Sequence, residues 1–159
     1  MMKGLRLAIC VVFAAALASA AMAGPSAGHQ VTVQVNAINE LALTGGNITL
    51  TVSTATAGQE PDSVTNNACS LAWTDNQANR KITVATNLAS PLFTLKVLAQ
   101  SVTGGSAAPE VTLSNTAADF VTGVSKTTGG CTLRYATAVT AAQGTGTDVH
   151  TVTYTLTSS

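Results

Sequence analysis

The amino-acid sequence predicts an all-β fold, a two-sheet antiparallel β-sandwich of about eight strands with an Ig-like or jelly-roll layout. Short segments in which apolar and polar residues alternate recur along the chain, as in strands with one buried and one solvated face. Clusters of Gly, Asn, Asp, Ser and Pro separate these segments, and no long stretch has the apolar spacing of a helix. A closed β-barrel is the alternative architecture.

The clearest alternation lies near the two ends of the chain. Segment 29–38, HQVTVQVNAI, and segment 149–157, VHTVTYTLT, both carry apolar residues at every second position. Each is therefore predicted to be a strand that buries one face. The apolar positions are Val31, Val33 and Val35 in the first segment and Val152, Tyr154 and Leu156 in the last, where they are expected to belong to the core.

Further strands are predicted between these two. Their sequences, in chain order, are LAL, NITLTVSTA, CSLAWT, RKITVAT, LFTLKVLAQ, EVTLS and CTLRYATAV. The pentapeptide DNQAN separates CSLAWT from RKITVAT and is predicted to connect them as a hairpin. The stretch NTAADFVTGV has helical leanings and is predicted to be a loop with at most one helical turn.

The first 23 residues have the features of a signal peptide. Lys3 and Arg6 form a basic start, residues 7–17 are apolar, and Ala21-Met22-Ala23 is a small-residue cleavage site typical of bacterial export signals. The apolar run is too short for a membrane anchor. We therefore expect cleavage before Gly24 and transit through the periplasm, with no later membrane insertion.

After cleavage, residues 24–159 are predicted to form a single secreted domain, extracellular or at the cell surface. Removal of Lys3 and Arg6 leaves five basic against seven acidic residues, so no basic stripe is available for nucleic acid. Threonine and serine are abundant, at 26 and 11 residues, and threonine suits a pleated surface. The low charge also leaves sheet edges poorly guarded against pairing with another chain.

Two cysteines remain in the mature chain, Cys69 and Cys131. An even number in an oxidising compartment predicts one disulfide. Closure of this loop would stabilise the fold by roughly 4 kcal/mol in the chain-entropy model. The sequence has neither the ligand spacing of a zinc site nor a C-x-x-C redox motif.

Catalytic and metal-binding candidates are few. Asp148 and His150 share a strand face and form an acid–base or metal pair in one interpretation and an exposed edge pair in the other. DNQAN has alternating oxygen donors but lacks the glycine and the closing glutamate of a calcium loop, so a plain turn is favoured. The second histidine, His29, has no such neighbour.

A glycosidase would need two carboxylates beside a cleft with aromatic walls. Glu60, Asp62 and Asp75 are candidates for the carboxylates, but aromatic residues are scarce. Trp73 alternates with Leu71 and is expected in the core, with a sugar-stacking platform as the alternative. We therefore predict a non-enzymatic protein without a cofactor or metal.

The terminal strands resemble those of two groups of secreted bacterial β-sandwich proteins. In donor-strand pilus and fimbrial subunits, including spore-coat-U-like subunits, the N-terminal strand of one subunit completes the sheet of the next. The shared features are the alternating runs at both ends and Gly146, the fourteenth residue from the C-terminus, where such subunits carry a glycine. Ser158 stands where they carry a penultimate tyrosine. The TasA-like biofilm-matrix fibre subunits are similar in jelly-roll layout and in their donated N-terminal strand.

These resemblances imply a structural subunit of an extracellular filament, pilus, fimbrium or biofilm matrix, with other copies of the chain as partners. Residues 29–38 would fill a groove in a neighbour through Val31, Val33 and Val35; an ordinary first strand in its own sheet is the alternative. A periplasmic chaperone or a surface glycan is a further partner to consider. A small adhesin or carbohydrate-binding module for cell adhesion, and a secreted hydrolase or inhibitor, are the alternative functions.

Overall fold

A computed structural model of the chain describes residues 25–159, so the predicted signal peptide lies outside the described residues. The chain falls into two compact units that divide between Gln34 and Val35. The described residues of the first unit, 25–34, form no strand. The second unit is all-β and has two antiparallel sheets, as the alternation predicts.

The second unit contains nine strands and one short 3₁₀ turn, Ala141–Gln143. The strands are β1 (Asn39–Thr44), β2 (Val64–Asp75), β3 (Arg80–Thr86), β4 (Thr94–Thr103), β5 (Ser106–Ala107), β6 (Val111–Thr112), β7 (Ala118–Val124), β8 (Thr127–Ala138) and β9 (Val152–Ser158). The order is β1-β2-β8-β4-β6 in the first sheet and β5-β7-β3-β9 in the second. In the described chain no helix is long and apolar enough to cross a bilayer.

The core lies between the two sheets and is built from every second residue of the long strands. In β2 the buried positions Cys69, Leu71, Trp73 and Asp75 alternate with exposed ones, the period of two that one buried face requires. Trp73 is only 3% exposed, as predicted for a core residue. The largest fully buried side chains are Phe120, Ile82, Leu133, Val84, Val97, Val121 and Val124.

Three segments differ from their predicted structure. Residues 29–38 and the segment NITLTVSTA alternate as strands do, yet neither is a strand: the first buries no face, and the second has only an isolated bridge, from Ala55 to Pro61. The predicted loop NTAADFVTGV contains β7 instead. There Phe120 and Val121 are both buried, and the β3–β7 register shifts on both sides of Ile82, which destroys the period of two in the sequence.

The two cysteines are free thiols in this structure and do not form the predicted disulfide. Cys69 lies opposite Leu133 and Cys131 lies opposite Leu71, so the cysteines are diagonal neighbours on β2 and β8. Diagonal positions hold side chains about 7 Å apart, whereas a disulfide needs Cβ atoms within about 4.5 Å. The Cys69 thiol instead donates a hydrogen bond to the carbonyl oxygen of Gly46 at 3.6 Å.

The buried thiols lead to a first prediction. Burial raises the pKa of the Cys131 thiol to about 11, so it stays protonated and unreactive at neutral pH. We expect iodoacetamide at pH 8 to label neither cysteine of the folded protein and both after denaturation without a reductant, as read by intact mass. Absence of labelling after denaturation would instead reveal a disulfide.

Candidate functional site

The most unusual region of the second unit is the side on which β1 and β9 are the outermost strands. These two strands contact each other, one from each sheet. Within the described chain β9 pairs with β3 alone, so its other edge has no strand beside it. The inward side chains of β9 are consequently only half-buried; they are Val152, Tyr154 and Leu156.

The chain that follows β1 borders this open edge. Gly45 has a φ of +104°, and an added Cβ would meet the carbonyl oxygen of Ala68 at 2.5 Å, so glycine is needed where the chain leaves the β1–β2 ladder. Residues 46–54 then continue without a turn or bend and without membership of a strand. Ile48 and Leu50 pack half-buried against the core, and Thr49 between them is exposed.

A second strand-like segment, residues 146–151, leads into β9. It also lacks turns and bends, and its burial alternates in phase with β9. Hydrogen bonds hold it on the side of β3: the backbone N–H of Phe93 donates to Asp148 at 2.7 Å, and the N–H of Thr151 donates to Asn87 Oδ1 at 2.7 Å. The other side of residues 146–151 faces away from Phe93 and Asn87.

Hydrogen bonds join parts of the chain that precede and follow these two segments. At one end Arg80 donates through Nη2 both to Asn39 Oδ1 at 3.2 Å and to the carbonyl oxygen of Leu156 at 3.5 Å, which joins the start of β1 to the end of β9. At the other end the N–H of Ala141 donates to Glu60 Oε2 at 2.6 Å, which joins the loop after residue 54 to the turn before residue 146.

Residues 46–54 and 146–151 have no strand ladder in the described chain, and β9 has one edge without a described strand partner. We call residues 46–54 and 146–151, together with this edge of β9, the open seam. Its two sides present half-buried apolar side chains and backbone edges without a strand partner among the described residues, which is the condition for adding a strand.

Two tyrosines link the sheets beneath the seam. The hydroxyl groups of Tyr135 on β8 and Tyr154 on β9 form a 2.9 Å hydrogen bond, and the ring of Phe120 lies 5.1 Å from that of Tyr154. Burial raises the pKa of both tyrosines, so both stay neutral at physiological pH. The pair gives β9 a rigid inner face that does not depend on the open edge.

The valines predicted to be a donor-strand interface are exposed. Val31, Val33 and Val35 are 70%, 83% and 73% exposed, and every residue from 25 to 40 is exposed. A β-branched run with both faces in water is unusual, because each buried valine stabilises a fold by about 2 kcal/mol. The run therefore has the composition of a strand, but none of its valines is buried.

The candidate catalytic residues have structural partners. His150 Nδ1 lies 3.1 Å from Thr86 Oγ1, and burial lowers the pKa of His150 while the nearby Asp148 opposes that shift. Glu60 holds Ala141, as described, and Asp62 accepts a 2.7 Å hydrogen bond from Thr54 Oγ1. Asp75 is buried and pairs with Arg80 at 3.2 Å. Each carboxylate thus braces a local turn or loop.

The residues considered for metal binding and for sugar stacking also have structural positions. No group of three or more potential metal ligands occurs in residues 25–159. DNQAN is a turn between β2 and β3, in which Asn79 adopts a φ of +57°. Trp73 is buried and its Nε1 donates to the carbonyl oxygen of Gly104 at 3.4 Å, so its ring is not a surface platform.

Sequence reasoning missed the residues that frame the open seam. No sequence signal marks the contacts of Arg80 with Asn39, of Asn76 with Asn36 and of Glu60 with Ala141. In each contact the two residues lie more than 30 positions apart in the sequence. The failure of NITLTVSTA to pair was also invisible, since alternation reports which side chains face a core and not which backbone lies alongside.

Comparisons of the chain with known proteins found no match. No protein-family model matches the chain, and no curated protein or solved structure matches it.

Proposed function

We propose that this protein is a secreted structural subunit of an extracellular filament, assembled by donation of residues 29–38 of one copy into the open seam of the next. The observation that carries the proposal is that the alternating valines of segment 29–38 are exposed, while residues 46–54 and 146–151 form no strand in the described chain. One inserted strand would bury the valines and give both open segments a neighbour.

The chemistry of the two surfaces is complementary. The inserted strand offers valines at every second position, and the seam offers Ile48, Leu50 and Val152 on its flanks. No charged residue occurs in segment 29–38 or in residues 46–54, so insertion buries no unpaired charge from either. Backbone hydrogen bonds on both sides of the strand add affinity without regard to side-chain identity.

The lengths also agree. Ten residues in a strand span about 33 Å, and residues 46–54 extended by the end of β1 cover a similar distance. Each subunit has one donor segment and one seam. Donation from each copy to the next is therefore head-to-tail, and a head-to-tail contact that does not close into a ring makes a filament.

The direct test is electron microscopy of the purified mature protein beside a truncation that begins at Ala37. We expect filaments from the mature chain and none from the truncation. Circular dichroism must show that the truncation keeps its β structure, and a synthetic peptide of residues 29–38 should bind to it.

Two results would contradict the proposal. A mature protein that stays monomeric at high concentration would have no use for an intermolecular donor. A truncation that unfolds would show that residues 24–36 belong to their own subunit, and the search for function would then turn to ligand binding.

A further inference from the structure

Two hydrogen bonds just beyond the ends of the β3–β9 ladder fix which backbone groups of β9 face its neighbour. At one end the N–H of Asn87 donates to the carbonyl oxygen of Thr151 at 3.1 Å. At the other end the N–H of Ser159 donates to the carbonyl oxygen of Asn79 at 2.9 Å. Both pairs fit the register of the ladder, which has no shift between them. Hydrogen-bonded pairs alternate with unbonded pairs in an antiparallel ladder, so the odd-numbered residues of β9 bond to β3.

The even-numbered residues of β9 face the free edge. In an antiparallel ladder, the residues of an unbonded pair point their N–H and C=O groups away from the neighbouring strand. In β9 these residues include Val152, Tyr154 and Leu156, and the described chain provides no strand on that side. Their side chains point inward and are half-buried, while their backbone groups lie in the plane of the sheet and border the open seam.

One of these backbone groups is already occupied. The carbonyl oxygen of Leu156 accepts a 3.5 Å hydrogen bond from Arg80 Nη2. Arg80 is itself held by the buried carboxylate of Asp75 at 3.2 Å. A strand that paired as far as Leu156 would have to displace this side chain. The edge open to a partner therefore ends at Tyr154, where Val152 and Tyr154 together offer two donors and two acceptors.

β9 also lacks the features that protect the other edge strands from pairing. β5 and β6 are only two residues long, and β1 carries the charged Glu40; short strands and charged side chains are common protection for an edge. Residues 151–159 contain no charged residue and no proline, and the β3–β9 register has no bulge. An uncharged extended strand fits this edge, because it brings no unpaired charge to the half-buried surface.

We propose that the main-chain groups of Val152 and Tyr154 bond to the strand donated by the next copy, and that Arg80 ends this pairing before Leu156. This inference rests on the proposed function and names the residues of the acceptor that form the new ladder. Because the bonds come from the main chain, a proline removes one donor at a chosen position.

Proline substitutions in the mature protein test the assignment. Val152→Pro removes an N–H that faces the free edge, so the subunit should stay folded. Thr153→Pro removes an N–H of the β3 ladder and should lower the midpoint of thermal unfolding by several degrees more. The matched control is Val152→Ala, which shortens the same side chain and keeps the N–H.

We expect Val152→Pro to raise the concentration needed for filaments at least about tenfold relative to Val152→Ala, because the lost bond leaves a buried acceptor unpaired on the donated strand. Sedimentation gives this concentration. Equal assembly of the two variants would overturn the inference. A Val152→Pro subunit as unstable as Thr153→Pro would also overturn it, since the N–H of Val152 would then belong to the ladder within the subunit.

Amide hydrogen exchange of the wild type gives the same information without a substitution. Below the concentration at which filaments form, the amides of Thr153 and Thr155 should exchange slowly and those of Val152 and Tyr154 quickly. In filaments all four should exchange slowly. Protection of the Leu156 amide in filaments alone would overturn the limit set by Arg80.

The failures of the two proposals are distinguishable. Filaments in which the amides of Val152 and Tyr154 still exchange quickly would overturn this ladder and leave strand donation standing. A wild type that forms no filaments would overturn strand donation, and the ladder would fall with it.

Discussion

Val33→Arg is expected to abolish filament formation while the subunit stays folded. Val33 is 83% exposed in the free subunit, so its replacement removes no contact of the subunit core. In a donated strand, Val33 is the central apolar residue of the run and faces the interior of the acceptor. The substitution removes about 2 kcal/mol of apolar burial and places an unpaired charge there at a cost of several kcal/mol.

The matched control is Thr32→Arg, one position earlier in the same segment. Adjacent residues of a strand point to opposite faces, so the arginine introduced at this position would project into solvent and assembly should continue. Thermal unfolding and electron microscopy of both variants give the comparison. Equal loss of filaments in both would indicate a charge effect on the segment as a whole, and equal retention would mean that this face of the segment contacts nothing.

The half-buried state of the seam explains why assembly by strand donation is physically reasonable here. Ile48, Leu50, Val152 and Leu156 pack half-buried against the core, so the proposed inserted strand would cover the sides that remain exposed. It would do so without repacking the interior, since Tyr135 and Tyr154 already link β9 to the other sheet by a hydrogen bond.

Much of the fold was predictable from local pattern. RKITVAT coincides with β3, and CSLAWT and CTLRYATAV lie almost wholly within β2 and β8, because these strands bury one face over their whole length. The two-sheet architecture followed from the number and spacing of such segments. The failure at β7 has a specific cause, the consecutive burial of Phe120 and Val121 at an irregular part of the ladder.

The candidate site was only half predictable. The alternating valines were visible because alternation is a property of a single segment. The open seam was not, because it is defined by strands that do not pair in the described chain and by contacts such as Arg80 with Asn39 and Leu156 that join distant parts of the sequence. The predicted disulfide failed for a similar reason: cysteine number does not encode the register that places Cys69 opposite Leu133.

Gly129→Ala is expected to produce the largest loss of stability among single-methyl additions near the core. Gly129 lies opposite Trp73 in the β2–β8 ladder, and an added Cβ would overlap the carbonyl oxygen of Thr103 and lie 2.5 Å from Cε2 and Nε1 of Trp73. Neither neighbour has room to move, because Trp73 is buried and hydrogen-bonded to Gly104. Overpacking of this kind costs about 3 kcal/mol, which lowers Tm by roughly 10 °C in a domain of this size.

The adjacent glycine provides the control. At Gly130 the nearest atom to an added Cβ is the carbonyl oxygen of Leu71 at 3.2 Å, so Gly130→Ala should cost less than about 1 kcal/mol. Both variants can be followed by the fluorescence of Trp73, the only tryptophan in the chain. Similar midpoints for the two would mean that β8 shifts to admit the methyl group. A large difference would instead establish that the face of β8 against Trp73 is rigid.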